Sequence, residues 1–285
     1  MKKLISIAII LMLSICLVAC SEVQSDENAT QTITDMAGNV VTLPAEIDSI
    51  IDTWSAATDN LYNIGAAELL VSAHSACASS KWSQKVFPDI ATLPDYSKST
   101  AEELLKVNAD MVIVSSQSKY EELTAVGVNA INLMYNSYDT FKQSTTIMGK
   151  ALGGEYEKNA IAFCEYVDWV TEVCNEITKN TPEDQKPVIH YLFGNNPDNL
   201  FSTCGGGVIM EEWINMGGGK LATAPLGKGM GLKDVTAEEI LATNPDIIVI
   251  DGAKAPEVYE ALMKDKLWAD IKAVKENRVY IIPYG

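Results

Sequence analysis

Arginine is almost missing from this chain: Arg278 stands alone among 285 residues, and every other basic side chain is a lysine. The guanidinium fork is the usual bidentate clamp for carboxylates, phosphates and anionic chelates, so its scarcity counts against a ligand gripped in that way. Histidine is nearly as scarce. His74 and His190 are the only two, no HExxH or GxSxG motif occurs, and nothing resembles a catalytic pair. Positive charge is in deficit overall: 38 acids against 21 bases give a formal charge of −17. Such a surface argues against nucleic acid and against lying flat on anionic lipid. A membrane span of about 20 apolar residues is missing too.

The apolar run at residues 4–19 is shorter than that, follows Lys2 and Lys3, and ends in Leu17-Val18-Ala19-Cys20. A charged start, a short greasy middle and a small residue before the cut mark a signal peptide over residues 1–19. A cysteine at the cut predicts a lipid on Cys20 and an extracytoplasmic protein held to the cell membrane; plain secretory cleavage or an uncleaved anchor is the alternative. Residues 20–31 are polar and without apolar period, a flexible tether.

A fifteen-residue phrase is written twice, TAEELLKVNADMVIV at 100–114 and TAEEILATNPDIIVI at 236–250. In each copy the Thr hydroxyl can cap a helix whose Glu, three residues on, reaches back to the cap. An aliphatic run then follows Asp110 or Asp246 and reads as a strand buried on both faces. Two copies predict two similar α/β lobes with parallel sheets, and hence a cleft between them.

Around these phrases the pattern is regular. Residues 32–44 (TITDMAGNVVTLP) read as a hairpin, 49–54 and 69–73 as strands around a helix through 59–64, and 77–99 as a loop-rich stretch. A helix over 120–126 leads to a strand at 128–133. Helix 138–152 breaks at Gly153-Gly154, and a second runs over 155–179 with Ala160, Phe163, Val167, Val170 and Ile177 at helical spacing. The second lobe offers strand 188–193, helix 208–216, helices 258–264 and 271–276, and strand 279–282. The chain stops there without a covering helix and reads as incomplete. Of the six cysteines, Cys16 leaves with the signal. Cys164 and Cys174 share one helix about 15 Å apart, too far to bridge. Cys77 and Cys204 fall in loops of opposite lobes and read as free thiols, a cleft-pinning disulfide being the alternative.

The lipobox, TITDMAGNVVTLP, the paired TAEE phrases, the Gly-Gly-preceded helix and KLWADIKAVKENRVYIIP together resemble the substrate-binding proteins of ABC importers for iron–siderophore complexes, haem and cobalamin. The resemblance implies two Rossmann-like lobes with parallel sheets, over 32–154 and 181–285, joined by a single long helix over 155–180. It implies a monomer with no cofactor of its own, a metal chelate in the cleft, and a permease dimer with its ATPase as partners. One stiff connecting helix implies little movement on binding.

Loops at the strand ends should line the cleft. From the first lobe these offer Trp54, Ser55, His74, Lys81, Trp82, Tyr96 and Ser116; from the second, Asn195, Asn196, Cys204, Gly205 and Lys228. Trp54, Trp82 and Tyr96 can stack on a flat or greasy ligand face, or simply pack down. His74 is a weak candidate for a direct metal contact, a structural role being the commoner fate, and His190 sits mid-strand in the core. Gly205-Gly206-Gly207 before a helix can bare N–H groups to an anion. Lys81, Lys119 and Lys228 can replace the missing arginines in part. The ligand reading is an iron complex of neutral or weakly charged chelate, with a corrinoid, haem or molybdate-type oxyanion as alternatives. An enzyme or adhesion lipoprotein on the same scaffold is the reading from another class. Ala101, Leu104 and Leu105 face the core at i, i+3, i+4 and turn Glu102 outward, as Ala237, Ile240 and Leu241 do for Glu238, so both glutamates stand outside the capping boxes at equivalent places in the two lobes. They suit arginines of a two-subunit permease, as in the cobalamin-binding relatives, or merely complement the helix dipole.

Overall fold

The computed structural model describes residues 29–232 and 234–282. The signal segment, Cys20, most of the tether and the last three residues lie outside the described residues. The chain enters through a hairpin, β1 (Thr30–Thr34) antiparallel to β2 (Val40–Pro44). Buried Asp35 builds its turn, accepting from the amides of Ala37 and Asn39, and its second oxygen takes the Asn132 amide at 3.0 Å. One carboxylate thus closes the hairpin and ties it to the first lobe.

That lobe is a four-stranded parallel sheet of β3 (Ile50–Asp52), β4 (Leu70–Ser72), β5 (Met111–Val114) and β6 (Ala130–Asn132), in spatial order β4-β3-β5-β6. Its helices are α1 (Ser55–Asn63), α2 (Ser75–Ser79), α3 (Lys81–Val86), α4 (Ala101–Val107) and α5 (Gln117–Thr124). Ile50, Met111, Ile113 and Ile131 bury one face under α1, and Ile51, Val112, Val114 and Ala130 bury the other under α4 and α5. Both faces are covered, as the unbroken aliphatic strands predict.

Two long helices follow, α6 (Tyr138–Leu152) and α7 (Gly154–Thr178), split by Gly153 and Gly154 at φ 68° and 55°. At about 1.5 Å per residue, the 25 residues of α7 span close to 40 Å and carry the chain to the second lobe. There β7 (Val188–Phe193), β8 (Lys220–Leu221), β9 (Ile247–Asp251) and β10 (Val279–Ile281) form a second parallel sheet in order β8-β7-β9-β10. It carries α8 (Ile209–Met216), α9 (Ala237–Ala242), α10 (Ala255–Lys264) and α11 (Lys272–Lys275). Numbered by their appearance in each lobe, both sheets read 2-1-3-4. The written repeat is a structural one.

Its details repeat as well. Thr100 with Glu103 and Thr236 with Glu239 each close a complete capping box. Asn108 and Asn244 then turn the chain at positive φ, a conformation asparagine tolerates. Asp110 and Asp246 accept the amides that open the neighbouring strand, Ser49 at 2.8 Å and Val188 at 2.7 Å.

Three sequence expectations need correction. The stretch 77–99 is loop only from 93 on: Ser75–Ser79, Lys81–Val86 and a 3-10 turn at Pro88–Thr92 take up most of the part before it, because Ser80 caps the amides of Trp82 and Ser83 and Pro88 starts the next turn. Leu105 does not face the core; Ala101 and Leu104 suffice on so short a helix, and Leu105 is exposed. Ile177 is 76% exposed, on a second apolar stripe with Tyr166, Trp169 and Val173 that flanks the buried Ala160–Val167 face of α7.

The junction of α6 and α7 is tight. A Cβ at Gly149 would stand 2.4 Å from the Ala160 Cβ. Gly149→Val is expected to wedge the helices apart and cost about 1–3 kcal/mol, read as a lower midpoint in urea unfolding with an unchanged slope. A midpoint equal to the parent's would mean that the crossing yields.

Candidate binding cleft

In an open α/β sheet, ligands bind outside the carboxyl ends of the strands, where the strand order reverses. Here that is the end of β3 beside β5 in one lobe and of β7 beside β9 in the other. Between the lobes lies a cavity of about 480 Å³. Its first-lobe wall is α2 and α3, with Ala76, Ser79, Lys81 and Trp82; its second-lobe wall is Gly252, Ala253, Pro256, Ile281 and Ile282. Trp82 is 55% exposed on this wall, with the Lys85 ammonium 5.7 Å from its ring. Among the described residues, arginine, histidine and acid are all missing from the lining, and Lys81 is its one charge.

The facing wall is set by backbone contacts. Gly252 runs at φ 153° so close to Gly194 and Asn195 that a Cβ would meet atoms of both at 2.6 Å. Asn195, at the end of β7, accepts the Ala253 amide at 3.3 Å and so steadies the loop that lines the cavity. Asn196 accepts the Asp198 amide at 3.0 Å and shapes its own turn.

Beside the cavity, at the end of β3, lies a polar crevice. Asp52 is fully buried, accepts the Trp54 amide at 2.8 Å and a short bond from Thr58, and its burial pushes the carboxyl up to about 7. Asp59, one turn into α1, is reached by solvent although protein surrounds it, and that enclosure raises its carboxyl as well. Cys77 on α2 donates to the Ser55 carbonyl at 3.4 Å; burial, helped by Asp59, Asp52 and Asp95, pushes its thiol up to about 12. Tyr135, after β6, packs against Trp54 with the rings tilted at 57° and their centroids 4.9 Å apart. Burial and then the same two aspartates raise its phenol. The ring series continues through Phe141 and Phe163 to Tyr166 and Trp169 on α7.

The sequence candidates scatter about this centre. Trp82 and Lys81 line the cavity, while Trp54 and Ser55 lie at the crevice. His74 caps α2, its Nδ1 accepting the Ala76 amide at 3.1 Å. Tyr96 is half-buried and packs on the core formed by Ile51, Val112 and Val114. Ser116 caps α5 through the Lys119 amide, and Lys119 is held by Ser99 and Glu122. Cys204 and Gly205 are buried. The glycine amides at 205, 206 and 207 donate to Gly229, Gly227 and Glu211, so no bare cradle for an anion exists there. Lys228 is exposed on the loop that pairs with them. Cys77 sits on a helix rather than in a loop, and both it and Cys204 are free thiols. His190 is core, its ring 5.4 Å from that of Trp268. Glu102 and Glu238 are both exposed, outside their capping boxes. Asp52, Asp59 and Tyr135 were not foreseen; a buried strand that closes on an acid was the available signal.

Two matched α/β lobes bridged by one helix, with a cleft at the carboxyl edges of both sheets, define a solute-binding protein of the helical-backbone class. The chain belongs to the periplasmic binding protein family, whose model matches residues 50–284. It is the extracytoplasmic binding component of an ABC importer, serving a permease and an ATPase, and is not an enzyme. It is 23% identical to the putative ABC transporter substrate-binding lipoprotein YhfQ of Bacillus subtilis, covering 98% of this chain and 90% of that one. Among solved structures it is similar to the molybdate-bound MolA of Haemophilus influenzae, with TM-score 0.78, 18% identity, and 89% and 83% of the two chains covered. It is also similar to Helicobacter pylori CeuE with Ni(II) bound, at TM-score 0.73 and 20% identity, over 89% and 82% of the chains. Among the described residues no helix is long and apolar enough to cross a membrane.

Proposed function

We propose that this protein captures an iron complex of neutral or weakly charged chelate in the interlobe cleft and hands it to its permease. The observation that carries this reading is the cavity wall: an exposed tryptophan and aliphatic groups with a single lysine, and no arginine to grip an anionic chelate. Structural neighbours that hold Ni(II), haem or, by name, Fe3+-hydroxamate support a metal-bearing ligand. Lipid attachment at Cys20 and docking of the permease by Glu102 and Glu238 belong to the same reading. The lobes take up ligand with little relative motion because α7 is one continuous helix.

Tryptophan-quenching titration of the purified protein, with the ligand first identified by native mass spectrometry from its host, tests the reading. An aromatic face covering one side of a chelate removes apolar surface worth ~25 cal/mol per Å². Trp82→Ala is therefore expected to weaken binding about 5- to 150-fold, while Tyr96→Ala lowers stability instead. Equal affinity of Trp82→Ala and the parent would move the site away from α3. An oxyanion is the second reading, favoured by a segment of 53 residues that is 34% identical to the molybdate-binding protein MolA of Haemophilus influenzae. The occupied glycine amides of the second lobe speak against it. Molybdate belongs in the same titration.

A further inference from the structure

The cavity occupies one side of the cleft. It lies between the two helices that follow β4 and the residues at the ends of β9 and β10, and both β4 and β10 are edge strands. The opposite edges of the two sheets are β6 and β8. There α6, which follows β6, meets α8, which leads into β8. The meeting is a hydrogen bond from lobe to lobe: the Tyr138 amide donates to Glu212 Oε2 at 2.6 Å. Among the described residues, no ion pair and no second hydrogen bond joins the lobes directly. Lys142 of α6, for instance, pairs with Asp168 of α7 and not with the second lobe.

Both ends of this bond stand on fixed ground. The capping box of Ser137 and Thr140 closes the start of α6 but leaves the Tyr138 amide as one of the orphan donors of the first turn. Ser144 then ties the helix back to the Leu133 carbonyl at 2.8 Å. In the second lobe, Ile214 seats α8 in the core cluster with Tyr191, Val208 and Leu221. The Met216 carbonyl, at the far end of α8, accepts from Thr178 of α7 at 3.4 Å. Glu211 is occupied by the Gly207 amide of its own lobe, whereas Glu212 reaches across to the other. A carboxylate on an amide at the positive end of a 15-residue helix makes a charge-assisted bond, stronger than a neutral one.

We infer that Glu212 is the residue that positions the two walls of the cleft. It clamps the β6 and β8 edges together, so the lobes part only at the β4 and β10 edges, where the cavity lies. The continuous α7 limits how far the lobes move, and the clamp decides on which side they do so. With the clamp closed, the Trp82 wall and the wall of Gly252, Ala253 and Pro256 keep a fixed gap, and a ligand held there leaves only as that gap widens. Loss of the bond frees the second edge, and the lobes then rock about α7 alone.

The test measures the gap itself. Asp89→Cys and Glu257→Cys put nitroxides on exposed residues beside the two cavity walls, in the full mature chain with its other thiols replaced by alanine. Pulsed electron paramagnetic resonance then reads the distance across the cavity. One narrow distribution is expected with Glu212 in place. Glu212→Ala is expected to broaden it, while Glu212→Gln, which keeps an acceptor, stays close to the parent. Tyr138→Pro removes the donor where a helix tolerates proline, after an extended Ser137 at ψ 167°, and should broaden it likewise. Tyr138→Ala keeps the amide and should not. These readings need no ligand. With an iron(III) trihydroxamate as probe, stopped-flow tryptophan fluorescence is expected to show roughly 10-fold faster release from Glu212→Ala, the scale of one charge-assisted hydrogen bond. That arm alone rests on the metal-chelate reading. A parent-like distribution in Glu212→Ala or Tyr138→Pro, or release of a bound probe at the parent's rate, overturns the inference, even if either variant is less stable. Failure of the probe to bind the parent, with the distributions as expected, overturns the hydroxamate-type reading and leaves the clamp standing.

Discussion

Glu102→Lys and Glu238→Lys are each expected to abolish ligand-stimulated ATPase activity of the reconstituted importer while leaving ligand affinity unchanged. The two glutamates open equivalent helices in the two lobes, are exposed, and are spared by the capping boxes that employ Glu103 and Glu239. Because the lobes share one topology, two equivalent carboxylates on one rigid molecule can meet two equivalent permease subunits at once. Loss of one partner of a desolvated charge pair at an interface typically costs 2–5 kcal/mol, about 30- to several thousand-fold, and reversal adds repulsion. Glu103→Lys and Glu239→Lys make the contrasting controls: they break the caps, lower stability by about 1 kcal/mol and leave coupling intact if the folded fraction is matched. Normal stimulation by both Glu102→Lys and Glu238→Lys would reduce the pair to complements of the helix dipole.

How much of this was legible in the sequence depends on whether the signal was local. The TAEE phrases carry their capping boxes, the αL asparagine and the strand-opening aspartate within fifteen residues, so the repeat could be read, and with it two lobes. The break between α6 and α7 was legible from Gly153-Gly154, which alone favour the positive φ found there. The loop reading of 77–99 failed before residue 93 because α2 and α3 are five and six residues long, too short for periodicity to show. Caps from His74 and Ser80, rather than an apolar stripe, hold them. Ile177 misled because α7 bears two apolar stripes, and spacing alone does not say which of them finds a partner. The acidic crevice was invisible for a further reason: Asp52, Asp59, Cys77 and Tyr135 are brought together by four separate elements, and no pair of them forms a motif.

The same long-range assembly buries two titratable groups whose effects on stability run in opposite directions. Asp52 holds its proton up to about 7, against 3.8 for an ordinary aspartate, because burial disfavours its charge. The folded protein therefore binds a proton that the unfolded chain has released, and this stabilisation, complete below 3.8, is lost as pH rises towards 7. At ~1.4 kcal/mol per unit it amounts to about 4 kcal/mol. His190 is pushed down to about 4 from 6.5, again by burial, and neither of its ring nitrogens meets a hydrogen-bond partner among the described residues. Here the unfolded chain takes up the proton first, so stability is full above 6.5 and falls by about 3 kcal/mol as pH drops to 4. Between pH 4 and 6.5 the two slopes nearly cancel. Each variant should uncover the other group: Asp52→Asn is expected to lose about 3 kcal/mol on acidification from pH 6.5 to 4, and His190→Leu to gain a similar amount. Urea unfolding at half-unit steps reads both, and taking differences from the parent removes the background of the many surface acids. A slope in Asp52→Asn equal to the parent's would mean that Asp52 titrates like an exposed carboxylate, and with it would go the enclosed character of the crevice it floors.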